Sequence, residues 1–409
     1  MKRTQLGILL LLLIVLGATA WWLLARRTHS WQSSSTHELP AKLVSLPIND
    51  VTKVTITQPT GQLNLVKKGD LWVVAERDDY PANYEMVSSL IRKVWELKPV
   101  QQVDVGPSQL GRLELLEPGK GSNAGTLVDF KDAQGKSLAK LLFGKKYMRE
   151  ASQSFGPGRS FPAGRYVMPE GKSHQVSLVT DPFGQIDEKP ERWLDRTFLQ
   201  VGKPTSITST GSAPEMNWKL EKVKDSSEWT LANAGPDEKL DEAKAKQVAA
   251  SAANLSSFTD VLGADAKKES TGLDKPRTFT ITTEDDMTYV LNVGQENGDN
   301  YQVTISVSGE VPKTRTPGPN EKPEEKDKLD KDFKTRQEAA EKKLKEGKKL
   351  EGRIFLVPKF SVAQLEKTRS ELLAPKPTPT PTPTPSPTAS PTSTQSPSPT
   401  AKPAKPKPR

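Results

Sequence analysis

Residues 6–25, LGILLLLLIVLGATAWWLLA, run for twenty positions without a charged side chain. At 1.5 Å of rise per residue, a helix of that length matches a hydrocarbon core of about 30 Å. Lys2 and Arg3 flank the run on one side and Arg26 and Arg27 on the other, and Trp21 and Trp22 stand where an interfacial aromatic belt belongs. No later stretch resembles a second span. The sequence therefore predicts a stub at 1–5, a transmembrane anchor at 6–25, and a hydrophilic body on one side of the bilayer, held to it through that helix. A signal-peptide reading competes, because Ala18-Thr19-Ala20 has the small-residue form of a cleavage site. The apolar run continues past it through Trp21, Trp22, Leu23 and Leu24 to a basic stop, which favours the uncleaved anchor. No cysteine is present to acylate, so a lipoprotein is excluded.

Orientation rests on weaker signals. Positive charge near the span is almost balanced, three groups before it against two after it. The absence of cysteine suits an oxidising compartment without disulfides. The Pro/Thr/Ser-rich C-terminus is of a kind used in extracytoplasmic stalks. The body is expected outside the cytoplasmic membrane, in a periplasmic location.

Between anchor and tail lie about 330 residues, which predicts two domains. The net charge of +9 is partly due to the tail, where Lys376, Lys402, Lys405, Lys407 and Arg409 face no acid. Scattered solubilising charge explains the balance better than an anionic lipid or wall polymer, since no compact basic cluster stands out in the body. Nucleic-acid binding has no motif behind it.

Residues 26–46 read as a polar spacer. At Val51 the pattern changes to Val-Thr-Lys-Val-Thr-Ile-Thr, rich in β-branched residues and alternating as a half-buried strand does. A second strand begins at Leu63. A third, Leu71-Trp72-Val73-Val74, follows the turn Lys68-Gly69-Asp70. A helix is then expected with Asn83 as its N-cap, Val87, Leu90, Ile91, Val94 and Leu97 on one face, and Pro99 ending it. Strands near 100–105, 126–130, 138–143, 164–168 and 175–179 and a short helical segment through 191–196 complete the unit.

The same order then returns. Strands near 205–209, 216–223 and 229–231 place Trp229 where Trp72 stood. A helix follows with Ala245, Val248, Ala249, Ala252 and Leu255 at helical spacing. Residues 258–263 echo 100–106, 279–282 echo 127–130, 289–294 echo 139–144, and Gly352-Arg353-Ile354-Phe355-Leu356-Val357-Pro358 echoes Gly164-Arg165-Tyr166-Val167-Met168-Pro169. A period near 150 residues exceeds any solenoid repeat, so the expectation is two tandem, duplicated domains, 47–200 and 201–373. The fold class is α+β, each unit a largely antiparallel sheet with one face covered by its helix. The second unit is interrupted at about 312–350 by a Lys/Glu-rich insertion. From 322 to 349 it holds eleven Lys or Arg and eight Asp or Glu, with Leu329, Phe333 and Leu344 too few for a core face. It is expected to be a solvated helical excursion. The tail, 374–409, is expected to be disordered and extended.

The search for chemistry is short. His29 and His37 fall in the spacer, which leaves His174 alone in a loop. With no cysteine and one usable histidine, a zinc site or Cys/His pair has no ligands. Gly156-Pro157-Gly158-Arg159-Ser160 lacks the Lys-Ser/Thr ending of a phosphate loop, and Pro157 removes an N–H. Asp78-Asp79 and Glu284-Asp285-Asp286 fall at turns and read as hydrated acids. Trp72 and Trp229 read as one core slot used twice. No catalytic, cofactor-binding or metal-binding residue is assigned, and no cofactor is expected.

The one-span N-terminus, the V-T-K-V-T-I strand, G-D-L-W-V-V, Y-P-A-N, G-R-Y-V and W-L-D-R-T-F-L together resemble the bacterial domain-of-unknown-function 4340 family, over about 47–373. The resemblance implies a single-span envelope protein, some of whose relatives are encoded near gliding-motility-type ABC transporter components. The expectation is thus a non-enzymatic, membrane-anchored binding or scaffold module, accessory to such a transporter. Two alternatives stand: a wall-associated module using its basic tail, and a glycan hydrolase built on carboxylates alone, which needs two acids about 5 to 10 Å apart in a cleft.

Overall fold

The computed structural model describes residues 40–150, 160–172, 175–255, 257–263, 268–317 and 321–375. The expected stub, anchor and most of the spacer lie outside these residues, as do His29, His37, His174, residues 156–159 and the tail from 376 onward. Among the described residues no helix is long and apolar enough to cross a membrane.

Two antiparallel sheets form the frame of the described residues. The first contains β1 (Lys53–Gln58), β2 (Gly61–Lys68), β3 (Leu71–Val74), β4 (Tyr80–Pro81), β5 (Gln101–Val103), β6 (Thr126–Lys131), β7 (Ser137–Glu150), β8 (Ser160–Pro169) and β9 (Val176–Val179). They lie in the order β4-β3-β2-β1-β6-β7-β8-β9-β5. Helix α1 (Tyr84–Trp95) covers one face. Asn83 caps it by accepting from the Met86 N–H at 3.0 Å, and Val87, Leu90, Ile91 and Val94 are buried beneath it. Each such side chain removed from water contributes roughly 1.5–3 kcal/mol. Part of the opposite face is covered too: Leu110 and Leu115, from the loop after β5, pack with Leu142, Met168 and Val176 in a small second core. One-sided cover is therefore incomplete as a description, because alternate residues of β7 and β8 are apolar on both faces.

The second sheet contains β10 (Pro204–Thr210), β11 (Trp218–Lys222), β12 (Trp229–Leu231), β13 (Asp260–Val261), β14 (Arg277–Thr283), β15 (Met287–Asn297), β16 (Asn300–Gly309) and β17 (Phe355–Pro358). Its order is β12-β11-β10-β14-β15-β16-β17-β13, which is the first sheet's order without β4. Helix α2 (Glu242–Ala253) has the position of α1, with Asp241 as its cap. Each helix start is closed by the end of its own unit, through the bridges Ala82↔Leu194 and Leu240↔Leu373. The first long hairpin shifts register between Tyr147 and Met148, and both hairpins shift at a matching place, between Phe143 and Lys146 and between Val293 and Glu296. Gly144 and Gly294 follow at once, and a Cβ on either would come 2.2 Å from a carbonyl oxygen, that of Leu113 or of Thr271. Only glycine lets the chain run that close.

Two sequence echoes are misplaced. The hydrogen bond from Val100 N–H to Leu178 O (2.9 Å) has its counterpart in that from Thr259 N–H to Leu356 O (2.7 Å). Thr259 thus stands for Val100, one residue later than the sequence match. Likewise Phe355–Pro358 occupies the place of β9, not of Gly164-Arg165-Tyr166-Val167, whose counterpart is the start of β16. Gly-Arg before an apolar run is a pattern that two neighbouring strands can share.

The Lys/Glu-rich stretch forms α4 (Pro323–Leu350), after the short α3 (Lys268–Thr271); α5 (Lys359–Val362) follows β17. Contrary to the expected solvated excursion, the last third of α4 docks. Ala340 and Leu350 are buried, Leu344 is partly so, and Gly347 lies so close to Val307 that a Cβ would meet it at 2.6 Å. Two small residues, Ala340 and Gly347, share this contact with Leu344 and Leu350. Lys343 pairs with Asp285 at 2.7 Å, and Arg315 ties the helix start through Glu321 and Asp330.

The two sheets meet along an aromatic seam. Tyr80 lies 5.7 Å from Phe258 and 6.0 Å from Phe355, and Phe198 lies 5.1 and 5.2 Å from the same two rings. Each such pair adds roughly 0.5–1.5 kcal/mol beyond its buried area. Arg77 forks onto Asp260 at 2.7 and 2.8 Å, and Arg196 donates to the carbonyls of Phe258 (2.6 Å) and Thr259 (2.8 Å). Arg353 donates to Asp78 O at 2.9 Å and stacks on Tyr80. One continuous hydrophobic cluster runs through both sheets.

Candidate functional site

The acid pairs singled out by the sequence serve the fold. Asp78 and Asp79 have φ of 52° and 55° in the turn between β3 and β4, and Asp79 pairs with Lys68 at 2.5 Å. Asp286 has φ 56° in the turn after β14. Glu284 accepts from Lys222 at 2.9 Å, which holds its carboxyl below the usual range. For Asp285, burial works upward, but bonds from Lys343 and from the Thr283 hydroxyl at 2.5 Å outweigh it and lower its pKa. Trp72 and Trp229 are both buried, at 5% and 6% exposure, in matching strands. Ser160 is the first residue of β8. Among the described residues no three His, Cys, Asp or Glu side chains are placed to hold a metal ion.

The structure assembles one polar cluster that sequence reasoning missed. Tyr301, at the start of β16, donates to Glu296 Oε1 at 3.3 Å and shares a hydrogen bond with Glu366. Glu296 also pairs with Lys359. Arg277, from β14, donates to the Ser209 hydroxyl at 3.1 Å and to the carbonyls of Glu366 and Lys367, the latter at 2.8 Å. Burial pushes the Glu366 carboxyl up, whereas the Lys359 bond holds Glu296 down. Burial, reinforced by Glu366, raises the Tyr301 phenol, and burial lowers Arg277. Carboxyls with opposed shifts are what an acid and a base require. Here Arg277 is committed to closing the loop after α5. Four separate segments supply the cluster, so no local spacing announces it.

In the first unit Arg165 does a similar task. It is 9% exposed and donates to Gly144 O at 2.8 Å and to Phe183 O at 3.1 Å, and burial pushes its pKa down to about 10. It braces the bulge from which the β7–β8 ribbon departs. That ribbon carries Tyr147, Met148 and Phe161, exposed at 38%, 47% and 48%.

Neither the curated proteins nor the solved structures contain a match to this chain. A family model does match: the one described as Domain of unknown function (DUF4340), over residues 72–276. That span runs from Trp72 in β3 to the residue before β14, covering most of the first sheet, Tyr80, Phe198 and Phe258 of the seam, and the opening of the second sheet. It is about half of the chain, and it agrees with the resemblance carried by the sequence motifs. The chain belongs to the Domain of unknown function (DUF4340) family.

Proposed function

We propose that this chain is a non-enzymatic, membrane-anchored envelope protein. Residues 6–25 hold it in the cytoplasmic membrane, its body lies on the periplasmic side, and its two α+β units arose by duplication. The body acts as a binding or scaffold module beside components of an ABC-type, gliding-motility-like transporter. The seam carries this reading. Four rings packed at 5.1–6.0 Å and the Arg77–Asp260 fork join the units side by side, a joint suited to holding partners at a fixed separation. The shared strand order, helix caps and bulges support the duplication. The test is purification of the tagged full chain from solubilised membranes, with mass spectrometry of what co-elutes. Transporter subunits are the expected companions; recovery of bulk envelope proteins alone sinks the idea.

A second reading, glycan hydrolysis, is favoured by one observation, the meeting of Glu366 and Glu296 on the hydroxyl of Tyr301. Release of reducing ends from purified cell wall by the full chain, lost in Glu366→Gln, supports it. No release removes it.

A further inference from the structure

The β7–β8 ribbon extends past the sheet it belongs to. β6 accompanies β7 only to the pair Thr126↔Phe143, and β9 accompanies β8 only from Arg165 onward. From Tyr147↔Gly164 to Glu150↔Ser160 the arms pair with each other and, among the described residues, have no strand on either edge. The second unit differs: β17 follows β16 to its first residue, Asn300, and the hairpin closes at once through Gly298 and Asp299. The fold does not require the longer ribbon.

Its chemistry is of one kind on both sides. Met148 faces Pro162 and Arg149 faces Phe161. By strand alternation Tyr147 shares a face with Arg149 and Phe161, while Met148 and Pro162 occupy the other. Lys145, Lys146 and Arg149 are exposed along the same arm against a single acid, Glu150. A protein partner that packs flat covers one face of a ribbon, and one that adds a strand takes an edge. Apolar groups on both faces call for a medium that surrounds it, and unpaired edges call for one that still supplies water to N–H and C=O groups. The headgroup layer of a bilayer meets both needs, and anionic lipid matches the basic arm.

The chain path agrees. Leu43 N–H bonds to Leu97 O at 3.0 Å, and Val100 N–H bonds to Leu178 O. Leu178 in turn pairs with Tyr166, next to the ribbon's root at Arg165. The polypeptide arriving from residues 6–25 therefore joins the unit at the end from which the ribbon leaves. We infer that Lys145, Lys146, Tyr147, Met148, Arg149 and Phe161 form a second membrane contact, seated at headgroup depth in the anionic leaflet that holds the anchor. This rests on the anchored reading given above.

The absence of cysteine permits a clean test. The full chain with Ser160→Cys, labelled with an environment-sensitive fluorophore, is reconstituted into vesicles of phosphatidylcholine alone or mixed with phosphatidylglycerol, both containing spin-labelled quencher lipid. Quenching is expected in the anionic vesicles and not in the neutral ones, and is lost in high salt. It is also lost in K145E/K146E/R149E, whose three lost attractions alone weaken surface association on the order of a hundredfold. A label at Asp299→Cys, on the short hairpin, stays unquenched throughout. Absence of quenching at residue 160 while the chain resists carbonate extraction overturns the ribbon contact and leaves the anchor intact. Quenching indifferent to lipid charge and to charge reversal also overturns it. If carbonate releases the chain, the anchor reading fails instead. Flotation of the released chain with anionic vesicles, dependent on the same three charges, then decides for or against the ribbon.

Discussion

Glu366 is the residue at which the fold opposes its own chemistry. Burial raises its pKa above the ordinary 4.5. A carboxyl with a raised folded-state value favours the folded chain in acid and loses that contribution as the pH rises through the raised value. Glu284 and Glu371, held down by hydrogen bonds from Lys222 and from Thr368, act in the opposite sense and lose their contribution as the pH falls. Comparison with Glu366→Gln isolates the first effect: the variant gains in urea midpoint relative to wild type between about pH 4 and about pH 7. A difference that stays constant, or reverses, disproves the assignment. At this scale the sequence was informative about caps and core, since Asn83 does cap α1 and Trp72 and Trp229 do share a slot. It said nothing of Tyr301, Glu296 and Glu366, because nothing local links a strand start, a bulge and the chain after α5.

At the scale of elements, amphipathic spacing made α1 and α2 legible, and alternation made most strands so. Helix α4 was legible as a helix but not as a docked one, because half of its contact surface is Ala340 and Gly347, which carry no hydrophobic signal, and Leu344 and Leu350 alone are too few to announce a core face. The substitution Gly347→Ala separates the two readings. In a solvated helix it stabilises by about 1 kcal/mol. Against Val307, whose Cβ would be 2.6 Å away, it forces overpacking that costs about 1–3 kcal/mol. The expected net result is a loss of up to about 2 kcal/mol in denaturant unfolding, and a gain refutes the docking. The misplaced Gly352–Pro358 echo has a related cause. Strand identity depends on long-range pairing, and a short apolar run following Gly-Arg fits β8 as well as β9 until the register with Val303 is known.

For the molecule as a whole, the seam joins the two units through one continuous hydrophobic cluster. Replacing Phe258 and Phe355 by Ala removes the two rings that both Tyr80 and Phe198 touch, at about 3–5 kcal/mol for each ring. Calorimetry is expected to show one cooperative transition for wild type and two for the double variant, one for each sheet. A single transition at lower temperature speaks against the seam as the source of coupling. Repetition along the chain was visible from sequence because matching cores need matching residues. The seam was not, because it joins surfaces that the repeat uses only once.

The seam is also lopsided: the β3–β4 margin of one unit meets the β13 margin of the other. Contacts of this head-to-tail kind are open-ended by nature and, once duplicated, invite runaway fibres. The far margin of the first unit offers Pro99, Gln101 and Ser177 where the joined margin has Phe258, Asp260 and Phe355. That margin therefore lacks the rings and the carboxylate by which the joined margin grips its neighbour.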